Sequence, residues 1–156
     1  MSVKVTDLSP QFLKAYRDAS RLATDAAAAL YEGNVKKRFY QGYYTFRRFR
    51  STAQIVQHIQ RDAPVYMGGG WVSQIGIPEG IAATPKKVPK GYKPPKKPTT
   101  VGLIALAWEL GHNNIFTRRR EHVPIFKPVM LDSVKAMIDA YNRTLNRYME
   151  RGRPVR

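Results

Sequence analysis

SPQFLKAYRDASRLATDAAAALYEGN, residues 9–34, decides how the rest of this chain is read. Ser9 suits a helix N-cap and Pro10 suits the first helical position. Apolar residues then recur at Phe12, Tyr16, Ala19, Ala23, Ala26 and Leu30. Steps of three and four residues place them on one helical face, which Leu13 and Leu22 widen. Gly33, followed by Asn34, predicts the stop. The run Ala26–Ala29 carries little side chain, so another backbone can approach it closely.

Outward from this helix the chain changes character. Between Tyr31 and Arg50 lie Tyr31, Phe39, Tyr40, Tyr43, Tyr44, Phe46 and Phe49, interleaved with Lys36, Lys37, Arg38, Arg47, Arg48 and Arg50. Their spacing is neither cleanly helical nor strand-like, and a loop with short regular pieces is expected. Ser51 or Thr52 then caps a short helix running to about Arg61, with Ile55, Val56 and Ile59 buried and Pro64 beyond its end. Trp71, Ser73, Ile75 and Ile77 alternate with Val72, Gln74 and Gly76, which predicts a strand. The preceding Gly68, Gly69 and Gly70 allow a bulge, a sharp bend or a hinge.

Residues 82–100 read as an extended basic arm or loop. Pro85, Pro89, Pro94, Pro95 and Pro98 alternate with Lys86, Lys87, Lys90, Lys93, Lys96 and Lys97, and no acid intervenes. Such a stretch favours an extended, polyproline-like path. Residues 101–112 are apolar on nearly all sides and are expected to form a short buried helix, with a strand as the alternative. Pro128 predicts the start of a last helix running to about Arg151, with Leu131, Val134, Ile138, Tyr141, Leu145 and Tyr148 as its buried stripe. Arg143, Arg147 and Arg151 form a basic ridge near its C-terminal end. The order of elements predicts a small α+β domain.

Size and charge bound the function. The chain has 156 residues, 43% of them hydrophobic, so a single domain over residues 1–156 with one core is expected. It carries 27 Lys and Arg against 11 Asp and Glu, a net charge of +16. That balance favours polyanions or acidic protein surfaces as partners. Without cysteine, disulfide scaffolds, thiol catalysis and Cys-based zinc sites are excluded. The opening MSVKVTDLSP has no apolar stretch, so no secretory leader is expected. The most apolar run, Val101 to Trp108, is shorter than the roughly 20 residues a bilayer crossing needs.

The candidate chemistry is sparse. Glu109 and His112, with Glu121 and His122 nearby, hold potential metal ligands, but Gly111 interrupts the helix between the first pair. A hydrogen-bonded histidine and a structural glutamate explain them better. No phosphate loop or nucleophile elbow occurs, since the triple glycine lacks the downstream Lys and Ser/Thr. Neither catalysis, nor a metal, nor a cofactor is expected. The aromatic and basic residues of 31–50 could stack on and neutralise a nucleic acid, which makes a basic nucleic-acid-binding protein the alternative reading.

The C-terminal half carries a more specific pattern. Ala105-Leu-Ala-Trp108-Glu109-Leu-Gly111-His112 is followed by a polar insertion and then by Val123-Pro124-Ile-Phe126-Lys-Pro128-Val-Met130. This resembles the minor-tail, tail-completion and head–tail joining proteins of tailed bacteriophages. There an aromatic-Glu-apolar-Gly segment precedes a variable loop and a Pro-x-Phe-x-Pro opening of the last helix. The middle departs from the family: Thr45 and Ser51 keep a spacing, but Phe46 and Arg48 replace its Gly and Leu. The resemblance implies a twisted antiparallel sheet flanked by a long N-terminal and a C-terminal helix. It also implies a structural virion protein, assembled in the host cytoplasm as a ring in the neck, a hexamer or less favourably a dodecamer. Its partners would be copies of itself and neck, portal-adaptor or tail proteins with acidic surfaces, with passing contact to virion DNA and none to membrane. Trp108, Glu109, Gly111, Pro124, Phe126 and Pro128 would carry the structural motif. The six arm lysines, Arg47, Arg48, Arg50, Arg118, Arg119 and Arg120 are the candidate partner contacts.

Overall fold

A computed structural model describes residues 9–45, 52–83, 100–110, 112–113, 120–121 and 124–151. Among the described residues four helices form: α1 (Ser9–Thr45), α2 (Thr52–His58), α3 (Val101–Leu110) and α4 (Phe126–Arg151). Six short strands lie between them: β1 (Gln60–Arg61), β2 (Val65–Met67), β3 (Gly70–Val72), β4 (Ile75–Gly76), β5 (His112–Asn113) and β6 (Arg120–Glu121). The result is a small α+β domain with antiparallel strands between a long N-terminal and a C-terminal helix, as the sequence predicts.

α1 and α4 form an antiparallel pair. Tyr31, late in α1, hydrogen-bonds the Phe126 carbonyl at the start of α4, whereas Tyr16 shares a cavity with Tyr141, farther along α4. The Asn34 amide of α1 also donates to the buried Ser133 hydroxyl of α4 at 2.9 Å.

α1 does not stop at Gly33. It continues to Thr45, through the segment expected to be irregular. The reason is the spacing of Tyr31, Val35 and Phe39, four residues apart and all buried. Each fully buried side chain of this size contributes about 1.5–3 kcal/mol, against about 1 kcal/mol for a glycine inside a helix. Gly33 is exposed, with open space where a side chain would sit. The three residues enter one cluster with Ile55, Val56 and Ile59 of α2 and its end, Val101 and Ala105 of α3, and Ile125 and Val129 at the head of α4.

α2 ends at His58, short of Arg61, because Gln60 and Arg61 pair with Gly76 and Ile75 as β1 and β4. β2 and β3 continue the same double strand beyond a break at residues 62–64, which Asp62 bridges by a hydrogen bond to the Gln74 carbonyl. Gly68 and Gly69 close the hairpin with φ of +59° and +89°, the two positive values a tight primed turn requires. Trp71, Ser73, Ile75 and Ile77 are half-buried while Val72 and Gln74 are exposed, but Gly76 is half-buried too, so the expected alternation holds over residues 71–75 and lapses at β4. β5 and β6 make a separate pair, and Ala82 bridges Thr100.

Three burial expectations are corrected. Phe12, Leu13 and Tyr16 at the start of α1 are exposed, and the buried face begins at Ala19. α3 is not surrounded by protein: Val101 and Ala105 are buried, but Leu103, Leu106 and Leu110 face outward. In α4 the buried residues are Val129 and Ser133, whereas Leu131, Val134, Ile138 and Tyr148 of the expected stripe are exposed. The helix also begins at Phe126, not at Pro128. Pro128 falls among the first residues of the helix, where no intrahelical N–H is required. Among the described residues, no helix is long and apolar enough to cross a membrane.

Candidate functional site

The residues of the C-terminal motif meet where α3 ends and α4 begins. A helix leaves its first N–H groups without intrahelical partners. Here the Glu109 carboxylate accepts them. Its Oε2 receives the Ile125 and Phe126 amides at 2.6 and 3.1 Å, and its Oε1 receives the Lys127 amide at 2.9 Å. Pro128 has no N–H, and the Val129 amide starts the helical ladder by donating to the Ile125 carbonyl at 3.1 Å. Every donor at this terminus is therefore satisfied, and a negative charge sits at the positive end of the helix dipole.

Around this cap the motif residues are closely placed. The Phe126 ring packs edge-on against Phe39, with centroids 5.8 Å apart at 71°. The Tyr31 hydroxyl donates to the Phe126 carbonyl at 2.8 Å. Burial, and secondarily the charge of Glu109, raises the Tyr31 phenol above its ordinary pKa. Pro124 and Pro128 are half-buried beside the cap, and Trp108 lies in α3 one residue before Glu109. Gly111 lies outside the described residues.

A second anchor holds the strands to α1. Arg61 on β1 grips Asp25 through two hydrogen bonds of 3.0 and 3.2 Å, and reaches Glu32 with Nη1 at 3.0 Å. Glu32 is also paired with Lys36. Burial alone would raise the Glu32 carboxyl, but the hydrogen bonds from Lys36 and Arg61 outweigh it and hold its pKa below the ordinary value.

Most of the candidate partner contacts fall elsewhere. Lys86, Lys87, Lys90, Lys93, Lys96, Lys97, Arg47, Arg48, Arg50, Arg118 and Arg119 lie outside the described residues, and Arg120 opens β6 opposite Asn113. Tyr31 and Phe39, from the aromatic and basic stretch, point into the core rather than toward a ligand. Among the described residues, no three His, Cys, Asp or Glu side chains group to hold a metal.

Sequence reasoning missed an outward apolar surface. Phe12, Leu13 and Tyr16 of α1 are exposed, and Leu13 and Tyr16 adjoin the β2–β3 hairpin, where Val65, Tyr66 and Met67 are exposed. Leu13, Tyr16, Tyr66, Trp71 and Tyr141 line a cavity of about 500 Å³ there. Arg17 lies over the Tyr66 ring at 5.6 Å, and Trp71 meets the same ring edge-on at 5.3 Å. The signal was present in the apolar periodicity itself, which had been assigned to the core.

The elements and surfaces define an α+β helical-hairpin domain with unsatisfied apolar faces. No family model, curated protein or solved structure matches the chain.

Proposed function

We propose that this chain is a structural virion protein of a tailed bacteriophage, forming a homo-oligomeric ring in the neck that joins the head and portal side to the tail. The observation that carries the reading is the exposed apolar surface, with Phe12 at 60%, Leu131 at 66% and Ile138 at 54% exposure. Large exposed apolar areas mark surfaces that associate. A ring subunit needs two such faces, because each contact is heterologous and closes by rotation. The motif in residues 105–130 supplies the family direction, and the Glu109 cap gives a physical reason for its Glu and its Pro-x-Phe-x-Pro. The role is scaffolding rather than catalysis.

The positive charge meets acidic neighbouring proteins in this reading. A conduit that lets DNA slide cannot hold phosphate tightly, because each neutralised phosphate adds salt-sensitive affinity. The arm lysines, Arg47, Arg48, Arg50, Arg118, Arg119 and Arg120 therefore contact adjacent subunits and neck partners, with DNA touched in passing. Native mass spectrometry and negative-stain imaging of the protein, alone and with neck partners, test this. Hexameric or dodecameric rings are expected, as is a ring-like copy number in purified virions. Monomers throughout, or co-purification with bulk nucleic acid instead of virions, would refute it.

A further inference from the structure

We propose that the groove between the C-terminal half of α4 and the middle of α1 docks an acidic amphipathic helix of a partner protein. The groove encloses about 680 Å³. Leu22, Ala26 and Ala140 supply its apolar lining, and Arg143, Arg147 and Arg151 supply its basic lining. All three arginines are exposed, and among the described residues none has an ion-pair or hydrogen-bond partner. The helix dipole accounts for a cation in the last turn but fades beyond it, and Arg143 stands two turns before the end.

Spacing and lining select the occupant. Arginines four residues apart rise about 6 Å per step along α4. A partner helix with Asp or Glu at the same interval presents carboxylates at the same pitch, one for each planar guanidinium. The alanines let a helix approach closely, and an apolar stripe on that helix covers Leu22, Ala26 and Ala140. A second copy of this chain offers no such row, because no two of its 11 acids stand four residues apart in the sequence. A nucleic acid gains nothing from the apolar lining. Asp25, the one carboxylate there, is already engaged by Arg61 and leaves the arginines free. The inference goes beyond the neck reading, because the groove calls for such a helix in any assembly.

The test uses the full chain and a fluorescent peptide of about four helical turns, with a leucine stripe and three glutamates four residues apart. Anisotropy titrations compare it with a scrambled peptide, with a Lys-for-Glu version and with random duplex DNA. The designed peptide is expected to bind most tightly. Arg143→Glu with Arg147→Glu should weaken it at least about tenfold and improve binding of the Lys-for-Glu peptide. A second variant, Ala140→Trp, should block the designed peptide by filling the groove without changing its charge. Circular dichroism establishes that each variant remains helical. Equal binding of the scrambled peptide, or unchanged affinity in the charge-reversed protein, overturns the proposal. So does duplex DNA that displaces the peptide in an arginine-dependent way, or the absence of peptide binding at low salt.

Discussion

Replacing Glu109 tests whether one carboxylate holds the last helix in place. Glu109→Ala removes the acceptor for three amides at once. Ile125 is buried, so water does not readily replace its lost partner, while Lys127 is exposed and recovers part of its solvation. Hydrogen bonds to charged groups contribute about 1.5–3 kcal/mol each, and helix-capping side chains about 0.5–2 kcal/mol. With partial recovery, a loss of about 3 kcal/mol is expected for the whole cap. For a chain of this size that lowers Tm by about 6–12 °C. Glu109→Gln is the informative partner. Its one carbonyl oxygen can replace Oε2 and serve Ile125 and Phe126, but its NH2 then faces the Lys127 donor and the charge at the helix terminus is gone. A smaller loss, about 1–2 kcal/mol, is expected. Urea titrations give both values, and amide exchange should show Ile125, Phe126 and Lys127 losing protection while the middle of α1 keeps it. If both variants lie within about 0.5 kcal/mol of the parent, the cap does not hold α4 and the physical account of the motif fails.

Gly33→Ala should raise stability by about 0.5–1 kcal/mol, because α1 is helical and unobstructed there; a loss in urea titration would mean that the helix ends at this glycine. Phe39→Ala should cost about 3–5 kcal/mol and Phe12→Ala less than about 0.5 kcal/mol; comparable losses would place Phe12 in the core. The depressed Glu32 carboxyl contributes stability that is complete above its unfolded value of about 4.5 and is lost as pH falls through the lower folded value. The stability curves of the parent and Glu32→Gln should run parallel near neutrality and converge below pH 4.5; urea titrations giving the same difference at pH 7 and pH 3 would refute this.

The start of α1, the core residues of α2, a bend at the glycines and the α+β class were legible because each follows from local spacing or backbone freedom. The length of α1 was legible in principle. Val35 stands midway between Tyr31 and Phe39, but the glycine at 33 and the surrounding charges concealed that spacing. The anchors were different in kind. Glu109 acts on donors 16 and more residues away, and Arg61 reaches carboxylates 36 and 29 residues earlier in the chain. Residue type marks such groups as able to bond, but only the approach of α3 to α4, and of β1 to α1, selects the partner.

The outward stripe of α4 shows a different limit. Periodicity located Leu131, Val134, Ile138 and Tyr148 and assigned them inward, yet α4 meets α1 through other residues, among them Phe126 against Phe39 and the Ser133–Asn34 hydrogen bond. A hydrophobic stripe records that a face avoids water; it does not record whether its own chain or another covers it. The alanines of α1 favour small neighbours and close packing, which leaves the bulky side of α4 free for another body. Leu131→Glu with Ile138→Glu separates the two possibilities. On an assembly face the double variant should stay within about 0.5 kcal/mol of the parent in urea titration and lose its oligomers in native mass spectrometry. In an internal face it should unfold the monomer, because each buried carboxylate would lack a partner. An intact fold with undiminished rings would place the subunit contact elsewhere and remove the apolar stripe as the support for the assembly reading.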